Sequence, residues 1–252
     1  MGGLAAASQV LGSSGFLRIM AAVGRKSNAR AAPLSPERRR VRLVAKTALT
    51  PSIWRLEFEL DAPLRFAPGQ YLKLKVAPYE WRDYSIASAS DTKLTLLISA
   101  RTRGDGSLWV ETVSPGETTE IEAPFGAFRL EANTHKKVFV ATGTGAAPFQ
   151  AMFEAMEKGG DLDNAELYFG CRTPAEDVTA GFPCRPPHTV VCASRAPAPE
   201  GGVGGRVTQA LARLAFDPAQ TDFYLCGSAA MVADCRDLLQ QSGAQRILTE
   251  PY

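Results

Sequence analysis

The sequence has little of what metal sites, disulfide frameworks and membrane spans require. Its 252 residues include two histidines and five cysteines. The histidines lack ligand-like spacing and the cysteines form no C-x-x-C pair, so we expect neither a metal site nor an iron–sulfur cluster. An odd cysteine count without a secretory signal is typical of reduced thiols inside a cell. The sequence also lacks an uncharged apolar run of about 18 residues, which argues against a transmembrane helix.

Basic charge is concentrated at the start of the chain. Residues 1–40 contain seven Lys or Arg and one acidic residue, whereas the rest contains 21 basic and 25 acidic residues, a net charge of −4. The part of the chain expected to fold therefore offers no basic surface for a nucleic acid.

The first 33 residues have the composition of a targeting segment. They are rich in Ala, Ser and Gly and lack Asp and Glu, which resembles an organelle transit peptide. A disordered bacterial extension, or a start codon assigned too early, explains the same composition. We expect a cytoplasmic protein, with the mitochondrion or plastid as the alternative.

The hydrophobic pattern changes near residues 131–135. Upstream, short segments alternate apolar and polar residues between turns, as in an antiparallel barrel or sandwich, and residues 107–113 favour a helix. Downstream, apolar segments alternate with helical ones at 148–158, 206–214 and 229–241, which indicates a parallel sheet covered on both faces. We therefore expect three parts: a basic, disordered leader over 1–36, an antiparallel β-barrel over 37–132, and an α/β nucleotide-binding domain over 133–252.

The segment Arg82-Asp83-Tyr84-Ser85-Ile86 carries the first motif of chemical interest. An Arg two residues before a Tyr-Ser pair resembles the flavin signature of the ferredoxin–NADP reductase family. The resemblance implies that Arg82 neutralises the pyrophosphate of FAD, a role that suits the fixed donors of a guanidinium. It also implies that Tyr84 stacks on the isoalloxazine ring and that the Ser85 hydroxyl lies near flavin N5. Asp83 and Ile86 complete the segment and are included as candidate FAD contacts.

Two further segments extend the resemblance through the first domain. Residues 101–109 are similar to the family's second flavin motif, in which a Gly-Ser pair, here Gly106-Ser107, opens a short helix beneath the pyrophosphate. A helix N-terminus presents free N–H groups, and glycine lets a phosphate approach closely. Residues 124–130 are similar to the family's barrel-closing strand. Taken alone, the glycines of this region also fit a plain hairpin turn.

A glycine loop follows the first apolar segment of the second domain. Thr142-Gly143-Thr144-Gly145 and Pro148 match the family's G-T-G-x-A-P loop rather than the G-x-G-x-x-G fingerprint. The two glycines permit a tight turn and close backbone approach, and Pro148 fits a first helical turn. The resemblance implies that this loop accepts the pyrophosphate of a nicotinamide dinucleotide.

Two later segments also resemble family motifs. Arg172 ends a Tyr-Phe-Gly-Cys-Arg segment that is similar to the family's Y-G-x-R. Cys226, Gly227 and Met231 lie in a segment that resembles Y-x-C-G-x-x-x-M, whose Cys-Gly lies close to the nicotinamide. The resemblance implies that all four residues contact the dinucleotide.

The sequence ends with Thr-Glu-Pro-Tyr. The family often ends with Glu, one further residue and an aromatic ring that packs on the exposed flavin face. The resemblance makes Glu250 and Tyr252, with Ser85 and Cys226, the candidates near hydride transfer. A frayed tail is the alternative interpretation of Tyr252.

The choice of nucleotide depends on Ser194-Arg195, at the end of an apolar segment. This pair resembles members of the family that bind the 2′-phosphate of NADP, whereas an acid there would pair with the 2′-hydroxyl of NAD. Residues 205–208, Gly-Arg-Val-Thr, also resemble the bacterial NADP-using branch. We therefore expect NADPH, with NADH as the alternative, although a solvated strand end would also carry Ser-Arg.

Together these motifs predict an FAD-dependent NAD(P)H oxidoreductase in which hydride passes between nicotinamide C4 and flavin N5. The sequence carries no ferredoxin-type cysteine run, so electrons are expected to pass to a separate ferredoxin, flavodoxin, oxygenase component or haem protein. One alternative is a flavin-binding electron-transfer or regulatory subunit of a multi-component oxygenase or redox complex. Another is a nucleotide-binding module without enzymatic activity. The sequence leaves the oligomeric state open.

Overall fold

The computed structural model describes residues 35–101 and 103–252. The expectations for residues 1–34, including the transit-peptide interpretation, lie outside the described residues. The described residues belong to one compact unit.

Six strands of the first half form a closed antiparallel barrel. The alternation expected of half-buried strands is clearest in the third strand, where Leu72, Leu74 and Val76 are buried and the residues between them are partly exposed. The strand order around the barrel is β1-β2-β5-β4-β3-β6. A short helix, α1, lies between β5 and β6 in the chain. The elements are β1 (Glu37–Thr50), β2 (Ile53–Glu59), β3 (Tyr71–Ala77), β4 (Glu80–Ala89), β5 (Lys93–Ser99), α1 (Asp105–Thr112) and β6 (Thr118–Phe125).

The second half is a six-stranded parallel sheet with the order β10-β9-β8-β7-β11-β12. The central strands are almost continuously buried, as expected where helices cover a parallel sheet. A 3₁₀ turn at Gly143–Ala146 connects β7 to α2. The elements are β7 (Lys136–Thr142), α2 (Ala147–Gly159), β8 (Ala165–Cys171), β9 (His188–Ala193), β10 (Val203–Gly204), α3 (Val207–Leu211), β11 (Thr221–Gly227), α4 (Ala229–Gln241) and β12 (Arg246–Pro251).

An antiparallel barrel followed by a parallel-sheet domain confirms the predicted fold class. Two local expectations were wrong. The barrel-closing strand β6 ends at Phe125 instead of running through residues 124–130, because Phe128 turns away and packs against Phe149 and Tyr224 of the second half. Helix α3 has five residues rather than the nine expected over 206–214.

The C-terminal segment is a strand and not a free tail. Strand β12 pairs in parallel with β11, which places Glu250 opposite Cys226 and Pro251 opposite Gly227. The sequence did not predict this strand, since six residues at a sheet edge carry little hydrophobic alternation of their own.

Helix α2 packs directly on strand β4 and so joins the two halves. The Ser88 hydroxyl donates to Glu154 Oε2 at 2.7 Å, and Gln150 Nε2 donates to Glu154 Oε1 at 3.0 Å. One hydrophobic cluster contains buried side chains from both halves, among them Ile53, Ala87, Leu97, Phe149, Met152 and Phe153. The strand that carries the candidate flavin motif is therefore in contact with the helix that follows the glycine loop.

A buried aspartate fixes the linker between barrel and sheet. Asp222, at the start of β11, has no exposed surface and accepts hydrogen bonds from Asn133 at 2.8 Å and Arg246 at 2.7 Å. His135 Nδ1 also lies 2.8 Å from its carboxylate. Burial acts to raise the pKa of Asp222, but the hydrogen bonds from Asn133 and His135 keep it below its usual value. These partners offset the cost of burying the charge and tie the linker to the sheet.

Candidate active site

A cleft of about 790 Å³ lies between the barrel and the carboxyl ends of the parallel strands. Ligands of open α/β sheets bind at this edge. Most of the residues predicted from the sequence meet here. Those that line the cleft are Arg82, Asp83, Tyr84, Ser85, Gly106, Ser107, Thr142, Gly143, Thr144, Arg172, Ser194, Met231 and Tyr252.

The barrel wall of the cleft is built by β4 and α1. An added Cβ at Gly106 would lie 2.2 Å from the Tyr84 hydroxyl oxygen, so glycine is what lets the helix approach the ring. Burial raises the pKa of Tyr84 to about 12, with the nearby Arg82 acting in the opposite direction. The phenol therefore stays neutral and presents a flat, largely apolar face beside Ser85.

Arg82 lies at the N-terminal end of α1. Its guanidinium donates to Asp105 in the first turn of the helix at 2.6 Å and to Glu80 at 2.8 Å. Gly104 is the N-cap, and no side chain of the described residues caps the helix there. A guanidinium beside the N-terminus of a helix, with no Cβ at Gly106, fits the pyrophosphate of a flavin dinucleotide.

The other members of the first motif lie differently. Asp83 faces Lys73 on the neighbouring strand, with Lys73 Nζ at 3.0 Å from its carboxylate. The Ile86 side chain is fully buried in the barrel core. Its candidate role as a flavin contact stays a prediction, since a strand turns alternate side chains to opposite faces. The Ser107 hydroxyl donates to the Ser99 carbonyl at 3.1 Å, which ties α1 to β5.

The opposite wall begins with the glycine loop. A Cβ at Gly145 would lie 2.2 Å from the Cys226 carbonyl oxygen, so glycine is required where this loop meets the end of β11. Pro148 is buried in the first turn of α2. Gly145, Pro148 and Gly227 lie outside the lining, while Thr142 to Thr144 line the cleft. The Gly145 N–H nevertheless points to the Tyr252 side chain, which is part of the lining.

Cys226 and Glu250 lie opposite each other on adjacent strands, outside the lining of the cleft. Cys226 is buried and Glu250 is partly buried. Burial raises the pKa of the Cys226 thiol, so the thiol stays protonated at neutral pH. Burial also raises the pKa of Glu250 to about 7. Within the described residues, Glu250 Oε2 is buried without a hydrogen-bond partner. A carboxyl whose pKa lies near neutrality, and which has one oxygen without a hydrogen-bond partner, is suited to hold or exchange a proton.

Tyr252 contacts the glycine loop on the same wall of the cleft. Its backbone N–H donates to the Gly227 carbonyl at 3.1 Å. Its hydroxyl donates to the Thr142 carbonyl at 2.8 Å and accepts from the Gly145 N–H at 3.3 Å. The side chain is thus held in the cleft although 63% of the residue's surface is exposed.

The far end of the cleft contains the residues predicted to select the nucleotide. Ser194 lines it and donates its hydroxyl to the Cys171 carbonyl at 3.2 Å. Arg195 is exposed outside the lining, whereas Arg206 lies within it. Arg172 also lines the cleft, with its Nε donating to Glu176 at 2.9 Å.

Some lining residues had not been singled out as site residues. Arg101 opens the second flavin motif and Arg206 lies in the Gly-Arg-Val-Thr segment, so each had a sequence signal. Glu176 and Asp234 had none, because their place in the cleft depends on the packing of distant segments. Neither belongs to a motif.

The described residues contain no cluster of three or more His, Cys, Asp or Glu side chains that could hold a metal ion. None of the helices in the described part of the chain is long and apolar enough to cross a membrane.

Two family models match the chain in succession. An oxidoreductase FAD-binding domain matches residues 40–130, and an oxidoreductase NAD-binding domain matches residues 139–237. The first range falls on the barrel and the second on the parallel sheet.

Curated relatives include reductases of two kinds. The reductase component of propane 2-monooxygenase from Rhodococcus jostii is 28% identical over 201 residues, which cover 73% of this chain and 54% of the relative. Ferredoxin–NADP reductase B from Sorangium cellulosum is 34% identical over 140 residues, covering 52% of this chain and 57% of the relative. The chain thus spans little more than half the length of these relatives.

A solved structure of a ferredoxin–NADP⁺ reductase from Neisseria gonorrhoeae, with bound FAD and NADP, has the same architecture. The TM-score is 0.72 at 23% sequence identity, over 85% of this chain and 98% of that one. This likeness concerns the fold, and the two consecutive domain matches concern the sequence. The two domain matches, which together cover most of the chain, show that it belongs to the ferredoxin–NADP reductase-like family.

Proposed function

We propose that the protein is an FAD-dependent NAD(P)H reductase that exchanges electrons with a separate redox partner. The observation that carries the proposal is a single cleft lined by Tyr84 and Ser85 of the barrel and by Thr142 to Thr144 of the glycine loop. A bound flavin supplies hydride exchange at N5 and the onward release of electrons, which side chains alone cannot perform.

The residues of the chain would bind the cofactors, orient them and shield them from water. Arg82 and the N-terminus of α1 would hold the flavin pyrophosphate, and the Tyr84 ring would support the flavin from one side. The Ser85 hydroxyl follows directly on the same strand. Glu250 lies opposite Cys226 and outside the lining of the cleft, where its carboxyl, with a pKa of about 7, would hold a proton. Tyr252 would cover the cleft until the nicotinamide arrives.

NADPH is the nucleotide favoured by the charge at the far end of the cleft. Arg206 and Ser194 both line it, and a guanidinium with a hydroxyl suits the dianionic 2′-phosphate of NADP. An acidic partner for a free ribose hydroxyl would favour NAD instead. Asp234 also lines the cleft, so the comparison with NADH has to be measured.

The proposed electron partner is a small redox protein such as a ferredoxin or flavodoxin, or an oxygenase component. One relative is named as a ferredoxin–NADP reductase and another as the reductase component of a monooxygenase. The second name favours an alternative in which the chain acts as the electron-transfer component of a multi-component oxygenase.

The test is reduction of the flavin-loaded protein by nucleotide. Protein purified with FAD should be yellow, and anaerobic NADPH should bleach its visible flavin band, whereas Arg82→Ala should lose the flavin on dialysis. Arg65→Ala, at an exposed barrel position, is the matched control and should retain it. Flavin binding without bleaching would instead indicate a binding or regulatory subunit. Absence of flavin binding would contradict the proposal.

A further inference from the structure

The Tyr252 hydroxyl makes two hydrogen bonds with one loop. It accepts from the Gly145 N–H at 3.3 Å and donates to the Thr142 carbonyl at 2.8 Å. An aromatic ring that merely covered a flavin would need neither bond. The contact therefore ties the side chain to the loop proposed to bind the dinucleotide.

The hydroxyl lies on the open side of the glycine loop and takes one of its N–H donors. An added Cβ at Gly143 would lie 3.1 Å from the Tyr252 hydroxyl oxygen, so the hydroxyl fills room that glycine leaves open. The loop lies directly before α2, where backbone N–H groups point toward an anion and the helix dipole favours negative charge. The Gly145 N–H is a donor that a phosphate oxygen would otherwise take.

The backbone of the tail can stay in place while the ring leaves. Pro251 is in register with Gly227 on β11, and the Tyr252 N–H donates to the Gly227 carbonyl at 3.1 Å. The hydroxyl bonds therefore break by side-chain rotation alone, without unpairing β12. The exposure of the residue, 63%, leaves solvent space for that rotation.

We propose that the Tyr252 hydroxyl acts as a phosphate surrogate, which holds the anion site of the glycine loop until a diphosphate displaces it. The inference rests on the proposed function, because it takes this loop as the pyrophosphate site. It adds that the tail opposes the diphosphate half of the dinucleotide, and not only the nicotinamide. ADP-ribose, which has a diphosphate and no nicotinamide, should therefore compete with the hydroxyl.

Tyr252→Phe separates the hydroxyl from the ring. In the flavin-loaded protein, titration calorimetry should show ADP-ribose binding about three- to tenfold more tightly to the variant than to the wild type, as expected for loss of one or two competing hydrogen bonds. Adenosine 2′-monophosphate, which lacks a 5′-phosphate, should bind both proteins equally. Tyr79→Phe, at a tyrosine that is 94% exposed and outside the cleft, should change neither affinity.

A second measurement reports on the contact itself. The NMR signal of the Gly145 amide should differ between wild type and Tyr252→Phe, and should coincide when both are saturated with ADP-ribose. Equal ADP-ribose affinities in the two proteins would overturn the inference and leave the proposed function standing. Failure of both proteins to bind ADP-ribose would overturn the two together.

Discussion

Ser88 on the barrel and Glu154 on α2 are joined by a hydrogen bond of 2.7 Å. Ser88 lies three residues after Ser85 on the same strand, and Glu154 lies on the helix that follows the glycine loop. The bond therefore links the strand that carries Ser85 to the helix that follows the glycine loop.

Ser88→Ala should weaken this link. We expect the free energy of unfolding to fall by roughly 0.5–1.5 kcal/mol, and flavin reduction by NADPH to slow more than FAD affinity changes. Urea unfolding and stopped-flow absorbance measure the two effects. Ser90→Ala, at an exposed position just beyond the same strand, is the control. An equal effect of the two substitutions would show that the bond to Glu154 has no special role.

Arg82→Ala should release FAD. The guanidinium supplies a charge-assisted contact to the pyrophosphate, so its loss should weaken FAD affinity about ten- to hundredfold. Fluorescence titration with FAD measures the change. The FAD affinity of Arg82→Lys should lie between those of the wild type and Arg82→Ala, because an ammonium keeps the charge but lacks the planar set of donors of a guanidinium. Full flavin retention by the alanine variant after dialysis would contradict the assignment.

Asp105→Asn should strengthen FAD binding, which is opposite to the effect of Arg82→Ala. Asp105 pairs with Arg82 at 2.6 Å and would repel a phosphate at the start of α1. An exposed pair of this kind contributes about 0.2–1 kcal/mol, so FAD should bind up to about fivefold more tightly. Glu111→Gln, an exposed acid later in the same helix, is the matched control.

Arg206→Ala should raise KM for NADPH about tenfold or more and leave KM for NADH nearly unchanged. Loss of a charge-assisted bond to the 2′-phosphate accounts for this size, and kcat should change little because the contact is remote from hydride transfer. Arg195→Ala should have a smaller effect, because Arg195 lies outside the lining of the cleft. Steady-state kinetics with both nucleotides provides the measurement. Equal increases for NADPH and NADH would rule out a 2′-phosphate contact.

Glu250→Gln should flatten the dependence of stability on pH. Burial raises the pKa of Glu250 from 4.5 to about 7, so the folded protein holds this proton more tightly than the unfolded chain does. Between these two values the unfolded chain ionises first, and the stability of the wild type falls as pH rises.

The decline should be complete above about pH 7 and should amount to no more than about 3 kcal/mol. A neutral Gln removes it. Urea unfolding of the flavin-free protein at pH 5 and pH 8 measures the difference, with Glu111→Gln as the exposed control. Parallel pH profiles for wild type and Glu250→Gln would show that the carboxyl is not held neutral.

The sequence predicted those features that depend on contiguous residues. Tyr84, Ser85 and the glycine loop lie within short motifs, and each motif carries its own turn or strand signal, so their positions at the cleft followed from the chain. Strand β12 did not, because a short edge strand is defined by its partner β11 and not by its own pattern.

Side chains that reach the site from distant segments were the hardest to predict. Arg206 and Asp234 face the cleft because α3 and α4 pack on the sheet. Phe128 packs against Phe149 of the second half instead of extending the barrel strand. No local sequence pattern indicates this contact. Such positions are set by tertiary packing, and the local pattern of a single sequence does not indicate which distant segments will come into contact.

The buried carboxylate of Asp222 has a consequence for how nucleotides enter. It holds Asn133 and His135 of the linker, while the Tyr224 hydroxyl accepts from the Glu131 N–H at 2.9 Å. The connection between barrel and sheet is thus held at residues 131, 133 and 135, which opposes hinge motion there. We therefore expect nucleotide to enter and leave by rotation of side chains at the mouth of the cleft, which is faster than domain opening.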